Sequence, residues 1–160
     1  MRETERIKAA LSFAEKKHEG QFRKGGDPYI THPVAVAEIL DEKGFEEEYL
    51  IAGLFHDLLE DTDASDEEIL KLGGPEVLQA VKLLTKEDGY VMAEYMAAIK
   101  SNDMAREIKA ADRLHNLRSA VVADDAFKRK YIKETREWYM DFNEEIRQAV
   151  EALEKMVSDE

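Results

Sequence analysis

The stretch YLIAGLFHDLLED, from Tyr49 to Asp61, decides how the chain is read. Every side chain between Tyr49 and Leu59 is apolar or glycine except His56 and Asp57. A helix that is apolar all round is normally buried. An imidazole and a carboxylate inside such a helix cost free energy unless something satisfies them. A metal ion does so, because neutral imidazole nitrogen and ionised carboxylate oxygen are both good ligands. His56 stands four residues before Glu60, and Asp57 four before Asp61, so a continuous helix puts all four on one broad face. Two candidate ligands then lie beside two carboxylates able to handle protons. A buried His–Asp pair, with Glu60 and Asp61 finishing the helix, satisfies the same pattern.

A single-metal site needs further ligands. His32, in YITHP, directly precedes Pro33 and so falls at a helix start. Asp112, in KAADRLHN, falls inside an amphipathic helix. Taken alone, His32 reads as a helix cap and Asp112 as a surface ion pair with Arg113 or Lys109. Taken together, His32, His56, Asp57 and Asp112 supply two nitrogens and two oxygens and leave positions open for water. Arg23-Lys24-Gly25-Gly26 sets two cations on a glycine-containing turn, a pattern able to clamp a phosphate chain; alone it is a solvated turn. Asn116 lies four residues after Asp112 and can hydrogen-bond a ribose or base, or serve as a surface amide. His18 and His115 read as structural or supporting residues, His18 near the basic loop. The run Trp138-Tyr139-Met140-Asp141-Phe142 reads as core packing for the last helix.

Outward from these motifs the chain reads as helical. Proline occurs only at positions 28, 33 and 75, and neither alternating strands nor an Asn-Gly hairpin stand out. Eight helices are expected, over about 2–19, 33–43, 46–60, a short one after Ser65, 75–86, 90–100, 103–122 and 125–157, the last with room for a break. Ser65 with Glu68 resembles a capping box. With 160 residues and no repeat or linker, one all-α domain is expected. No apolar run approaches the ~20 residues that span a bilayer, and the charged opening Met1-Arg2-Glu3 lacks a signal peptide's apolar stretch. The absence of cysteine removes disulfides, thiolate zinc sites and cysteine nucleophiles, and fits a reducing cytoplasm. Acidic residues number 36 against 23 basic, a net charge of −13 that repels nucleic acid. A phosphate substrate would therefore need a local cation, which the Arg23-Lys24 loop or a bound metal supplies.

The ordered set His32, His56-Asp57, Asp112 resembles the H…HD…D signature of HD-domain phosphohydrolases. Four flanking words narrow it: HEGQFRKGGDPYITHPVAVA (18–37), AGLFHDLLEDT (52–62), LLTK (83–86) and KAADRLHNLRS (109–119). These are similar to the hydrolase domain of RelA/SpoT-type enzymes, over roughly positions 8 to 140. The resemblance implies an HD-type helical bundle that removes the 3′-pyrophosphate from the guanosine alarmones (p)ppGpp. It implies one Mn²⁺, or another divalent transition metal, held by His32, His56, Asp57 and Asp112. It implies Glu60 and Asp61 as the pair that activates water, Arg23 and Lys24 near the pyrophosphate, and Asn116 with Ser119 at the nucleoside. Tyr131, in KYIKET, matches a further family stretch. The implied enzyme is a stand-alone hydrolase with a nucleotide as its partner. Another nucleotide, such as (p)ppApp or a nucleoside monophosphate, or binding of alarmone without turnover, are the competing expectations.

Overall fold

The computed structural model describes residues 1–157. Among them are ten α-helices, one 3₁₀ turn and no strand, so the all-α expectation is met. No helix of the described residues is long and apolar enough to cross a membrane. The chain divides into two compact units, Met1–Lys109 and Ala110–Glu160, the division falling within one helix, and each is described by itself.

The first unit opens with α1 (Glu5–Lys17), which Thr4 caps by accepting the Ile7 amide hydrogen. It continues through α2 (Thr31–Glu42), α3 (Glu47–Phe55), α4 (Leu58–Asp61), α5 (Asp66–Gly73), α6 (Pro75–Leu84), α7 (Met92–Lys100) and the first part of α8 (Asp103–Ser119). The capping box forms as expected: Ser65 accepts from the Glu68 amide while the Glu68 carboxylate accepts from the Ser65 amide. Pro75 opens α6, where its missing N–H leaves no bond unmade.

Helix α3 is the centre of this unit, packed by α1, α2, α5 and α6. That surround explains a sequence apolar on every side: Leu50 to Phe55 are all buried. Gly53 sits at the closest approach, where a Cβ would meet Leu40 Cδ1 at 3.1 Å and Val36 Cγ1 at 3.4 Å. The missing side chain lets α2 and α3 pack backbone to backbone.

One expectation fails here with consequences for chemistry. Residues 46–60 are not one helix; α3 ends at Phe55 and α4 begins at Leu58. His56 and Asp57 occupy the joint, and Asp57 takes φ −103° and ψ 0°. The break is local: the His56 ring donates from Nδ1 to the Gly53 carbonyl at 2.6 Å, taking up an oxygen at the end of α3. Apolar periodicity carries no trace of such a joint.

In the second unit, α8 gives way to a 3₁₀ turn (Ala120–Val122), then α9 (Asp125–Trp138) and α10 (Glu144–Glu154). The expected final helix is thus two. Tyr139 caps α9 and is buried, and Asn143 starts α10 by accepting the Ile146 amide hydrogen at 2.9 Å. Tyr139 packs tilted against Phe142, with ring centroids 5.3 Å apart, so part of the aromatic run does serve packing, at the joint between the helices. Arg113 is buried, its guanidinium 2.5 Å from Glu134 and stacked over the Tyr131 and Tyr139 rings at 5.1 and 4.1 Å.

Candidate functional site

The joint between α3 and α4 is where polar groups converge. His32 enters from the first turn of α2, buried, and its ring lies edge-on to His56 at 5.3 Å between centroids. His32, His56 and Asp57 bring one ligand atom each within 4.8 Å of one another. Asp57, Glu60 and Asp61 do the same, so Asp57 belongs to both groups. The sequence spacing had put His56, Asp57, Glu60 and Asp61 on one unbroken helix face. The structure brings them together through the kink instead.

The donor chemistry fits a cation. The His56 Nδ1 faces a main-chain carbonyl, which can only accept, so Nδ1 carries a proton and Nε2 is the ring nitrogen left to face Asp57. That nitrogen lies 3.1 Å from Asp57 Oδ2. An imidazole nitrogen and a carboxylate oxygen turned to one point form a donor set that suits a divalent metal ion. The His32–His56–Asp57 group is thus able to hold a divalent cation.

Two residues not picked out from the sequence organise the site. The Tyr29 hydroxyl donates to Asp57 Oδ2 at 2.5 Å, the same oxygen that faces His56 Nε2, and so orients the carboxylate. Gln21 donates from Nε2 to the Asp61 main-chain carbonyl at 2.9 Å, and its Oε1 meets His18 Nδ1 at 2.8 Å. Gln21 and Tyr29 also flank the basic loop. Their backbones are joined by the Tyr29 amide donating to the Gln21 carbonyl at 2.8 Å, with Phe22 bridged to Pro28 above it. Gly26 turns the tip at φ +99°. The loop that carries Arg23 and Lys24 is therefore fastened at its base to Asp57 and Asp61. His18 has the supporting role expected of it, buried against the Tyr29 ring at 4.8 Å.

The carboxylates at the joint perturb one another. Loss of solvent raises the Asp61 pKa above the ordinary aspartate value, and the charges of Asp57 and Glu60 raise it further. His18 and His56 pull in the other direction without cancelling the effect. Glu60 is held separately: its Oε1 accepts from the Lys86 main-chain amide at 2.8 Å. LLTK thus touches the carboxylate pair through its backbone, which no side-chain pattern announces.

Asp112, Asn116, Ser119 and Tyr131 belong to the second unit. There Asn116 donates to Asp112 Oδ1 at 3.4 Å, so the two share a helix face as their spacing predicts. Ser119 Oγ approaches His115 Nε2 at 3.5 Å. Arg113, one of the two surface partners that the alternative reading offered Asp112, is engaged with Glu134.

These features define a kinked His-Asp centre in an all-helical unit, and residues 10–106 match the HD domain family. The chain belongs to that family. It is 39% identical over 142 residues to a GTP pyrophosphokinase of Streptomyces coelicolor, covering 83% of this chain and 17% of that protein. It is 38% identical over 143 residues to a guanosine-3′,5′-bis(diphosphate) 3′-pyrophosphohydrolase of Aquifex aeolicus, covering 84% of this chain and 20% of that protein. The chain spans about a fifth of the length of these curated relatives. Among solved structures, it resembles a metazoan ortholog of SpoT described as hydrolysing ppGpp. That likeness has a TM-score of 0.76 and 27% identity, over 97% of each chain.

Proposed function

We propose that this protein is a metal-dependent hydrolase that removes the 3′-pyrophosphate from (p)ppGpp, giving GDP or GTP and pyrophosphate. The observation that carries the proposal is the sharing of Asp57 between a His-rich ligand group and a pair of acidic side chains. The metazoan structure of matching length, described as a ppGpp hydrolase, supports the choice of substrate.

Mn²⁺ is the proposed ion, with Asp112 added to His32, His56 and Asp57 on the strength of the KAADRLHN motif. When bound, such an ion acts as a Lewis acid on phosphate oxygen and makes water easier to deprotonate. The remaining work falls to side chains. Glu60 and Asp61 orient the attacking water and accept its proton on a carboxylate oxygen. The raised proton affinity of Asp61 suits it to that role. Arg23 and Lys24 offset the charge of the pyrophosphate, which a body of net charge −13 would otherwise repel. Asn116 and Ser119 hydrogen-bond the nucleoside, and Tyr131 contributes to substrate binding.

A substrate panel tests this reading: ppGpp, pppGpp, ppApp and nucleoside monophosphates, each with Mn²⁺-reconstituted protein, followed by ³¹P NMR. Release of pyrophosphate from the guanosine 3′ position is expected. Release of phosphate from monophosphates alone would replace the alarmone with another substrate, and tight ppGpp binding without turnover would make the protein an alarmone receptor.

A further inference from the structure

Glu60 stands at the exposed end of a four-residue helix. A glutamate there has several rotamers open to it, and fixing one costs side-chain entropy. What fixes this one is an amide 26 positions away, Lys86 N–H, at 2.8 Å. That amide is available because α6 stops at Leu84. Thr85 adopts an extended conformation, φ −85° and ψ 122°, and the chain turns out of the helix. A helix end leaves its last carbonyls without intrahelical partners, and here hydroxyl groups take two of them. Thr85 Oγ1 donates to Val81 O at 2.7 Å, and Tyr95 Oη donates to Leu84 O at 2.6 Å. The Thr85 bond is local, within one turn. The Tyr95 bond comes from α7 and ties the Leu84 carbonyl to that helix. Tyr95 is itself well seated: it is buried, the Tyr90 ring meets it edge-on at 5.6 Å, and the ammonium groups of Lys86 and Lys109 lie 5.7 and 5.5 Å from its centroid.

We infer that Tyr95 is a positioning residue for Glu60: its hydroxyl holds the Leu84 carbonyl so that the Lys86 amide fixes one carboxylate oxygen of Glu60 and leaves the other for the attacking water. The inference rests on the reading of Glu60 as a water-activating group. It extends that reading to a residue outside the proposed metal-ligand and substrate-binding sets. It also gives LLTK a mechanical role, with its contribution made by main chain and by a tyrosine outside the motif.

Tyr95→Phe is the clean variant, because it keeps the ring and its contacts and removes only Oη. With ppGpp and Mn²⁺, kcat should fall about fivefold, the factor for one neutral hydrogen bond, while KM stays within about twofold. A residue that only supported the fold would lower the melting temperature without separating kcat from KM. Amide exchange of Lys86, measured by NMR on the full metal-free chain, reads the contact without any substrate. Exchange should be slow in the wild type and in Glu60→Gln, whose amide oxygen still accepts. It should be faster in Glu60→Ala and in Tyr95→Phe, and unchanged in Asp61→Ala. Equal Lys86 exchange in wild type and Glu60→Ala, or an unaltered kcat in Tyr95→Phe, would overturn the inference. If the wild type turns over no nucleotide, the functional reading fails, and the exchange series still decides whether Tyr95 holds Glu60.

Discussion

Replacing Asp61 by Asn should stabilise the metal-free protein, and the amount can be worked from the site. The ligand atoms of Asp57, Glu60 and Asp61 lie within 4.8 Å of one another. Two like charges at that distance repel by about 0.9 kcal/mol in a water-like dielectric, and an exposed carboxylate warrants that low figure over the interior one. With two acidic neighbours, neutralising Asp61 relieves about 1–2 kcal/mol, which corresponds to about 2–8 °C in melting temperature for a chain of this size. Linkage gives the pH dependence. The Asp61 pKa is raised above its ordinary value of 3.8 by burial and then by Asp57 and Glu60. Between 3.8 and the raised value the native state therefore binds more protons than the unfolded chain. The contribution of Asp61 to stability accordingly improves as pH falls through that window, and the advantage of the Asn variant shrinks with it. Thermal melts of both proteins in EDTA and low salt, at neutral pH and at successively lower pH, measure this. High salt should narrow the gap by screening, and Mn²⁺ should narrow it by neutralising Asp57. An Asn variant no more stable than wild type at neutral pH in EDTA and low salt would refute the argument.

Three further outcomes are expected. Arg113→Ala breaks the contact with Glu134 and the stacking on Tyr131 and Tyr139, and should cost about 2–3 kcal/mol after allowing for the partial exposure of Glu134, read as a melting point lower by about 5–10 °C. Gly73→Ala puts a Cβ 2.6 Å from Val77 Cγ1 and 2.9 Å from its Cβ, so overpacking of about 1–3 kcal/mol should appear in urea denaturation, whereas Ala at the open Gly25 should change little. Asp57→Ala removes the residue shared by the histidine group and the carboxylate group, and calorimetric titration with Mn²⁺ should show affinity lower by more than about 100-fold, beyond the range for residues that merely orient a ligand.

Most of the fold was legible because its signals are local. The Ser65–Glu68 box, the helix start at Pro75 and the apolar run of 50–55 each act through neighbours in sequence or adjacent helices. The grouping of His32, His56 and Asp57 was legible because His56 and Asp57 are polar groups in apolar surroundings and His32 stands before a helix-starting proline. What escaped was set by geometry that composition does not encode. The joint at His56-Asp57 depends on one side chain reaching the Gly53 carbonyl, and the apolar pattern runs through it undisturbed. Arg113 looked like a surface charge because the tyrosines that bury it come 18 and 26 positions later. Tyr29 and Gln21 stood inside quoted motifs, yet only their contacts with Asp57 and Asp61 reveal their work. The amide of Lys86 has no side chain by which to be noticed.

The most direct test of the central claim is product analysis on ppGpp with the metal-stripped, Mn²⁺-reconstituted protein, run beside Asp57→Ala. GDP and pyrophosphate in equal amounts from the wild type, and neither from the variant, is the predicted result. A well-folded, Mn²⁺-loaded wild type that leaves ppGpp intact, or an Asp57→Ala protein that cleaves it as fast, would contradict the account.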